Sequence, residues 1–191
     1  MDCGPVIASM VMNPAPNLIL VGPMGAGKTS IGRRVAERFG LEFADVDQAV
    51  VERCGATIAT IFEHVGEAGF REREKAALAH LLDGQGRLVS TGGGAVLDCD
   101  NRRLMQRHGF VIYLRVGVDS QLKRLGRDRA RPLLQRGDRE QVLHDLAVIR
   151  EPLYVEVADL MLDTDGLSPG AATSTLAHLL SSHWQRSECA A

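Results

Sequence analysis

The chain reads as a single α/β domain, a parallel sheet with helices packed on both faces. Two observations predict it. Short apolar, β-rich runs alternate with segments of helical spacing, a pattern that closes into a covered parallel sheet. The first of those runs, Leu18–Val21, also breaks into a glycine-rich turn ending in a lysine and two hydroxyls. A strand, such a turn and a helix in succession form a cradle for phosphate. At 191 residues the chain is long enough for one well-buried domain and short for two.

The elements follow in order. Residues 1–16 lack the positive start of a signal peptide and read as a disordered extension, with Met12 an alternative start. The domain is expected over 17–183, and 184–191 as a C-terminal tail. Strands are expected at Leu18–Val21, Leu41–Ala44, Leu88–Ser90, Phe110–Leu114 and Leu160–Leu162. Ile31, Val35 and Phe39 recur every four residues as on a helix, and Gly40 supplies its C-cap. Thr57 reads as the N-cap of a helical region broken near Gly66 and running to Leu82. A long helix is expected from Asp138 to Asp159, bent or split by Pro152. Ligands of such a sheet gather at the carboxyl ends of the strands.

Composition narrows the function. A net charge of −2 lacks the basic excess of a general nucleic-acid or membrane-surface binder. Four scattered cysteines form no CxxC pair and read as reduced cytosolic thiols, and the six histidines show no metal spacing. No apolar run approaches the ~20 residues that span a bilayer.

The turn from Gly22 to Thr29, GPMGAGKT, fits GxxxxGK[ST]. Its glycines let successive backbone N–H groups converge on a phosphate, and the helix that follows adds partial positive charge. Gly25, Ala26, Gly27, Lys28, Thr29 and Ser30 are thus the expected nucleotide-binding set. Lys28 is placed at the β- and γ-phosphates and Thr29 at a magnesium ion. Many such proteins end a later strand in an acid that handles magnesium through water. Here the next strong strand ends instead in three glycines, and the candidates are Asp45 and Asp47 of FADVD. On their own these two acids are as compatible with a solvated turn. The N-K-x-D signature of guanine readers is absent, and the single D-x-x-G match, Asp163–Gly166, follows the last strand.

Four further stretches bear on the acceptor. Arg71 and Glu74 are three apart on an expected helix and share a face, as surface ion pairs often do. Gly92, Gly93 and Gly94 follow a strand and allow close approach of the backbone to a ligand, or simply a flexible turn. Lys123 to Arg139 holds seven basic residues against two acids, either a solvated face or a mobile lid over phosphates. Arg150 lies in IREPLYVEVAD.

Taken in order, GPMGAGKT, FADVD, IFExxGExxFRxxE, STGGG, RPLL and RxxLYxEVAD make the sequence resemble the shikimate kinases, over roughly Asn17 to Leu180. The resemblance implies a three-layer P-loop kinase fold with a five-stranded parallel sheet in the order 2-3-1-4-5 and a mobile lid at about 123–139. It implies ATP as phosphoryl donor, magnesium, and transfer of the γ-phosphoryl to the 3-hydroxyl of shikimate, giving ADP and shikimate 3-phosphate. By the same likeness Asp47 lies beside the attacking hydroxyl, and Arg71 and Arg150 hold the substrate carboxylate. Glu74 steadies Arg71, and the Gly93 N–H, between Gly92 and Gly94, contacts the substrate. Arg131 reaches the transferring phosphate from the lid. Arg124 and Pro169 flank adenine, and Asp45 serves the metal through water. The chain departs from the family near Leu167, where a basic residue is common.

The expected protein is a cytoplasmic monomer acting on small molecules, with no nucleic-acid or membrane partner. Two rival classes remain, another small-molecule kinase and an inactive ATP-binding module. Gluconate also pairs hydroxyls with a carboxylate, and a nucleoside acceptor would need stacking surfaces that eight aromatics, none clustered near DVD or GGG, do not offer. An inactive ATP-binding module would have lost Lys28, Asp47 or an arginine.

Overall fold

A computed structural model describes residues 13–126 and 138–186. Five parallel strands form the central sheet: β2 (Leu18–Val21), β3 (Glu42–Asp45), β4 (Arg87–Ser90), β5 (Phe110–Arg115) and β6 (Leu160–Asp163). Their order is β3-β4-β2-β5-β6, with Leu18 in register with both Leu88 and Phe110. Counted within the sheet, that is the expected 2-3-1-4-5. A separate pair joins β1 (Asn13–Ala15) to β7 (Trp184–Arg186).

The inner strands β2, β4 and β5 are buried on both faces and are largely apolar, whereas the edge strands β3 and β6 are partly exposed and carry acids. Leu18 and Leu20 point to one side and pack with Ile31 and Val35 of α1 (Lys28–Phe39) and Leu176 and Leu180 of α7 (Pro169–His183). Ile19 and Val21 point to the other. There they meet Val46 and Val50 of α2 (Val46–Cys54), Phe70 and Leu78 of α3 (Ile58–Leu82), and Met105 of α4 (Cys99–His108). Tyr154 of α6 (Arg139–Val157) completes that face, while α5 (Val118–Leu125) packs against α6 through Leu125 and Leu143.

Several local expectations hold. Gly40 caps α1 in the left-handed conformation. Thr57 caps α3 by accepting from the Thr60 N–H, and Gly66 breaks the helix with φ 67° and ψ −175°. Asp138 caps α6 at the expected start.

Other expectations need correction. The ordered structure extends past the 17–183 limits at both ends, since Asn13–Ala15 lies parallel to Trp184–Arg186. The buried Trp184 indole explains this: its Nε1–H donates to the Ala15 carbonyl at 3.0 Å, joining the two ends. Residues 1–12 and 187–191 lie outside the described residues. Pro152 does not split α6, which runs as one helix to Val157. The carbonyl that loses its donor there belongs to Val148, which is 77% exposed, so water can serve it. The second strand begins at Glu42 and ends at Asp45, with α2 starting at the next residue rather than a loop. Within the expected lid, Lys123–Leu125 belong to α5 and Arg139 to α6, and residues 127–137, including Arg131, lie outside the described residues.

Candidate active site

The phosphate loop joins β2 to α1. Gly22, Gly25 and Gly27 have φ of 138°, 79° and 92°, conformations a side chain disfavours, so these positions need glycine. Gly27 is the N-cap of α1 and gives it no side-chain acceptor, leaving the first N–H groups of the helix to a ligand. Lys28 Nζ folds back onto the Gly22 and Pro23 carbonyls at 2.7 and 2.9 Å, so the ammonium sits over the loop.

Asp45 and Asp47 take distinct places although one residue separates them. Asp45 ends β3 and caps α2, its Oδ1 accepting from the Asp47 and Gln48 N–H groups at 3.1 and 3.3 Å. Its other oxygen, Oδ2, accepts from the Thr29 hydroxyl at 3.2 Å. Two hard oxygen donors thus adjoin at the phosphate loop, a pairing that fits magnesium, which favours oxygen ligands and keeps several waters. Asp47 lies in the first turn of α2 and faces the glycines.

One cavity of about 470 Å³ connects these parts. Its wall includes Gly25 to Ser30, Asp45, Asp47, Gly92, Gly93, Arg124 and Pro169. Arg124 reaches from α5 to donate to the Gly25 carbonyl at 2.9 Å and to Thr164 Oγ1 at 3.1 Å, tying the phosphate loop to the end of β6. Pro169 opens α7, whose N-cap Ser168 accepts from the Ala171 N–H. Leu167 lines the same wall and makes it apolar at that point.

Arg71, Glu74 and Arg150 do not border that cavity directly; they surround the triglycine, whose last residue, Gly94, is likewise off the cavity wall. A methyl group on Gly92 would overlap Glu74 Oε1 and lie 2.9 Å from Asp47 Oδ1. One on Gly93 would lie 3.5 Å from Arg150 Nη1, and one on Gly94 would overlap the Arg71 guanidinium. The three glycines are therefore a matter of space as much as of flexibility. At Gly92 and Gly94 a side chain would displace a charged group, while at Gly93 a methyl would only come into contact with Arg150.

Electrostatics in this cluster are unbalanced. Arg71 pairs with Glu74 at 2.7 Å and with Glu67 at 3.0 Å. Glu74 is fully buried, and burial pushes its carboxyl above the ordinary range despite Arg71, with Asp47 adding to the rise. Arg150 is 5% exposed and forms no ion pair among the described residues. Its Nε, the Arg71 Nε and Glu74 Oε1 are buried without a hydrogen-bond partner in the protein. A buried guanidinium lacking a carboxylate is costly unless a ligand supplies one.

Comparison with known proteins decides the family. A family model described as shikimate kinase matches residues 24–181. A shikimate kinase of Stenotrophomonas maltophilia is 66% identical over 180 residues, 94% of this chain and 100% of the relative. The chain belongs to the shikimate kinase family. One from Xanthomonas campestris pv. campestris is 61% identical over 176 residues, 92% of this chain and 98% of that one. The solved structure of shikimate kinase from Acinetobacter baumannii in complex with shikimate matches with a TM-score of 0.82 and 46% identity. That match covers 87% of this chain and 94% of the other. The fold is that of the family's P-loop kinases, and the activity is an ATP-dependent phosphorylation of an alcohol.

Some of the site escaped sequence reasoning. Thr91 and Thr164 line the cavity, and Tyr154 donates to the Gly93 carbonyl at 2.5 Å. Tyr154 sits inside the quoted RxxLY stretch, four residues after Arg150, and that helical spacing was the available signal.

Proposed function

We propose that the chain moves the γ-phosphoryl of ATP onto the 3-hydroxyl of shikimate, with the roles of its residues divided as follows. The loop from Gly25 to Ser30 and the start of α1 hold the phosphates, and Lys28 neutralises charge on the moving group. Thr29, with Asp45 through water, would hold magnesium, which when bound neutralises charge between the β- and γ-phosphates. Arg124 and Pro169 border the base.

On the acceptor side, Arg71 and Arg150 fix the ring carboxylate, a bidentate task suited to guanidinium. Asp47 orients the hydroxyl and takes up its proton as the oxygen–phosphorus bond forms. Glu74 holds Arg71 in place, and the N–H of Gly93, flanked by Gly92 and Gly94, donates to the acceptor. Arg131 contributes positive charge at the transferring group. A loose phosphoryl-transfer transition state leaves little covalent work to the protein, so position and charge supply most of the acceleration.

The observation that carries this reading is the buried Arg150 guanidinium, unpaired by any described carboxylate and set 3.5 Å from the space beside Gly93. It calls for an anionic acceptor. An ADP-release assay with shikimate, gluconate and nucleosides tests it: shikimate alone supports rapid turnover. Equal rates with gluconate would overturn the assignment. We also infer a monomer that works in the cytoplasm with no nucleic-acid or membrane partner. The free, exposed Cys54 and Cys99 agree with a reducing compartment.

A further inference from the structure

Tyr154 is a buried polar group at the triglycine with no part in the roles above. It lies one helical turn after Arg150 on α6, so both side chains face the same way. Its hydroxyl donates to the Gly93 carbonyl at 2.5 Å, and Arg150 Nη1 and the phenol oxygen lie 3.5 and 3.6 Å from the same point beside Gly93. The ring is 2% exposed and stacks on Tyr113 at 5.0 Å and 26°.

The chemistry of the three groups leaves one arrangement. A guanidinium only donates and a carbonyl only accepts, so a group that bridges the two must both accept and donate. A hydroxyl does this. Its oxygen is placed to accept from Arg150 while its proton goes to Gly93, and the stack on Tyr113 removes the freedom to turn away. Burial pushes the phenol well above its ordinary range, so it keeps that proton at every physiological pH. The N–H groups of Gly93 and Gly94 make no backbone hydrogen bond among the described residues, which leaves them to the acceptor. With the Gly93 carbonyl held, the peptide plane shared with the Gly94 N–H is held as well.

We propose that Tyr154 is a positioning residue for the acceptor: its hydroxyl locks the Gly93 peptide to the Arg150 guanidinium and so sets the spacing between the backbone donors and the group that holds the acid. The role lies in the distance between two elements, since Gly93 follows β4 and Arg150 belongs to α6. Without the hydroxyl each partner keeps its own anchor, but nothing fixes one against the other.

The inference rests on the acceptor reading given above, and the experiment separates the two. Tyr154→Phe keeps the ring and its stack and removes only the hydroxyl. Steady-state kinetics of this variant should show the KM for shikimate raised about tenfold, the order expected when a buried carbonyl loses its donor. The KM for ATP and kcat should stay within about twofold, a split that a general loss of structure would not produce. Tyr113→Phe is the control. Among the described residues the Tyr113 hydroxyl makes no hydrogen bond, so that variant should match the wild type in all three constants. An unchanged shikimate KM in Tyr154→Phe would overturn the proposal, as would equal rises for both substrates or a lowered kcat accompanied by a lower melting temperature. Should Arg150→Ala also leave the shikimate KM unchanged, the acceptor reading itself fails. A defective Arg150→Ala beside a normal Tyr154→Phe would sink the positioning role alone.

Discussion

The two halves of the proposed site are built in opposite ways. The nucleotide half comes from one contiguous stretch, Gly22 to Ser30, and relies on backbone N–H groups at the start of α1. The acceptor half gathers Asp47 from α2, Arg71 and Glu74 from α3, the glycines after β4 and Arg150 from α6. A phosphate is a generic ligand that consecutive amides can hold. A ring with a carboxylate at one side and a particular alcohol at another needs charges at fixed separations, which only the tertiary fold supplies. The first half therefore announces itself in sequence, while the second is visible only when several fragments are read together.

Substitutions should respect this division, and the largest effect falls on the nucleotide half. Lys28→Ala should lower kcat by about 10²–10³-fold, the loss typical of a donor aimed at developing charge. Calorimetry should find its shikimate affinity in the absence of nucleotide near that of the wild type. A parallel loss of shikimate binding would show that the halves are not separable.

Arg71→Ala tests the other side. Loss of one charged hydrogen-bonding partner should raise the shikimate KM by about 10–100-fold. The KM for ATP should hold steady in the same assay, and a matching rise there would erase the distinction.

Glu74→Gln gives a smaller effect, seen in pH dependence. Burial raises the Glu74 carboxyl above its ordinary 4.5. As pH falls through that raised value the carboxylate takes up a proton and its hold on Arg71 weakens. The shikimate KM should therefore climb on the acid side at a pH above the usual glutamate range, and Glu74→Gln should lack that limb. Stability runs the other way. A folded pKa above the unfolded one favours the protonated form, so this stabilising contribution is fullest below 4.5 and is lost as pH rises through the folded value. The Gln variant should show a flatter melting temperature across that window.

The smallest effect on activity is expected far from both halves. Trp184→Ala removes the buried indole that joins β7 to β1 and should cost about 3–5 kcal/mol of stability. Its kcat and both KM values at low temperature should match the wild type; a selective change in either KM would tie the terminal strands to the site.

Most of the fold was legible because the inner strands are buried on both faces and each phosphate-loop residue has a local job. The strand order and the acceptor roles came from resemblance. Three features were illegible for physical reasons. Strand β1 and the Trp184 contact depend on residues 169 positions apart, beyond any local pattern. Asp45 looked like a loop acid because capping a helix and facing a hydroxyl leave the same residue type in sequence. Tyr154 is core by burial, and only the position of its hydroxyl reveals the link to Gly93.

The central claim is that two guanidinium groups, one of them buried and unpaired, capture the acid of the acceptor opposite the phosphate loop. Calorimetric titration with shikimate and with its methyl ester tests it most directly. The wild type should prefer the free acid by about 100-fold or more, the order set by charge-assisted pairing, and Arg150→Ala should lose most of that preference. Equal preference for the acid in the wild type and in Arg150→Ala would contradict the account.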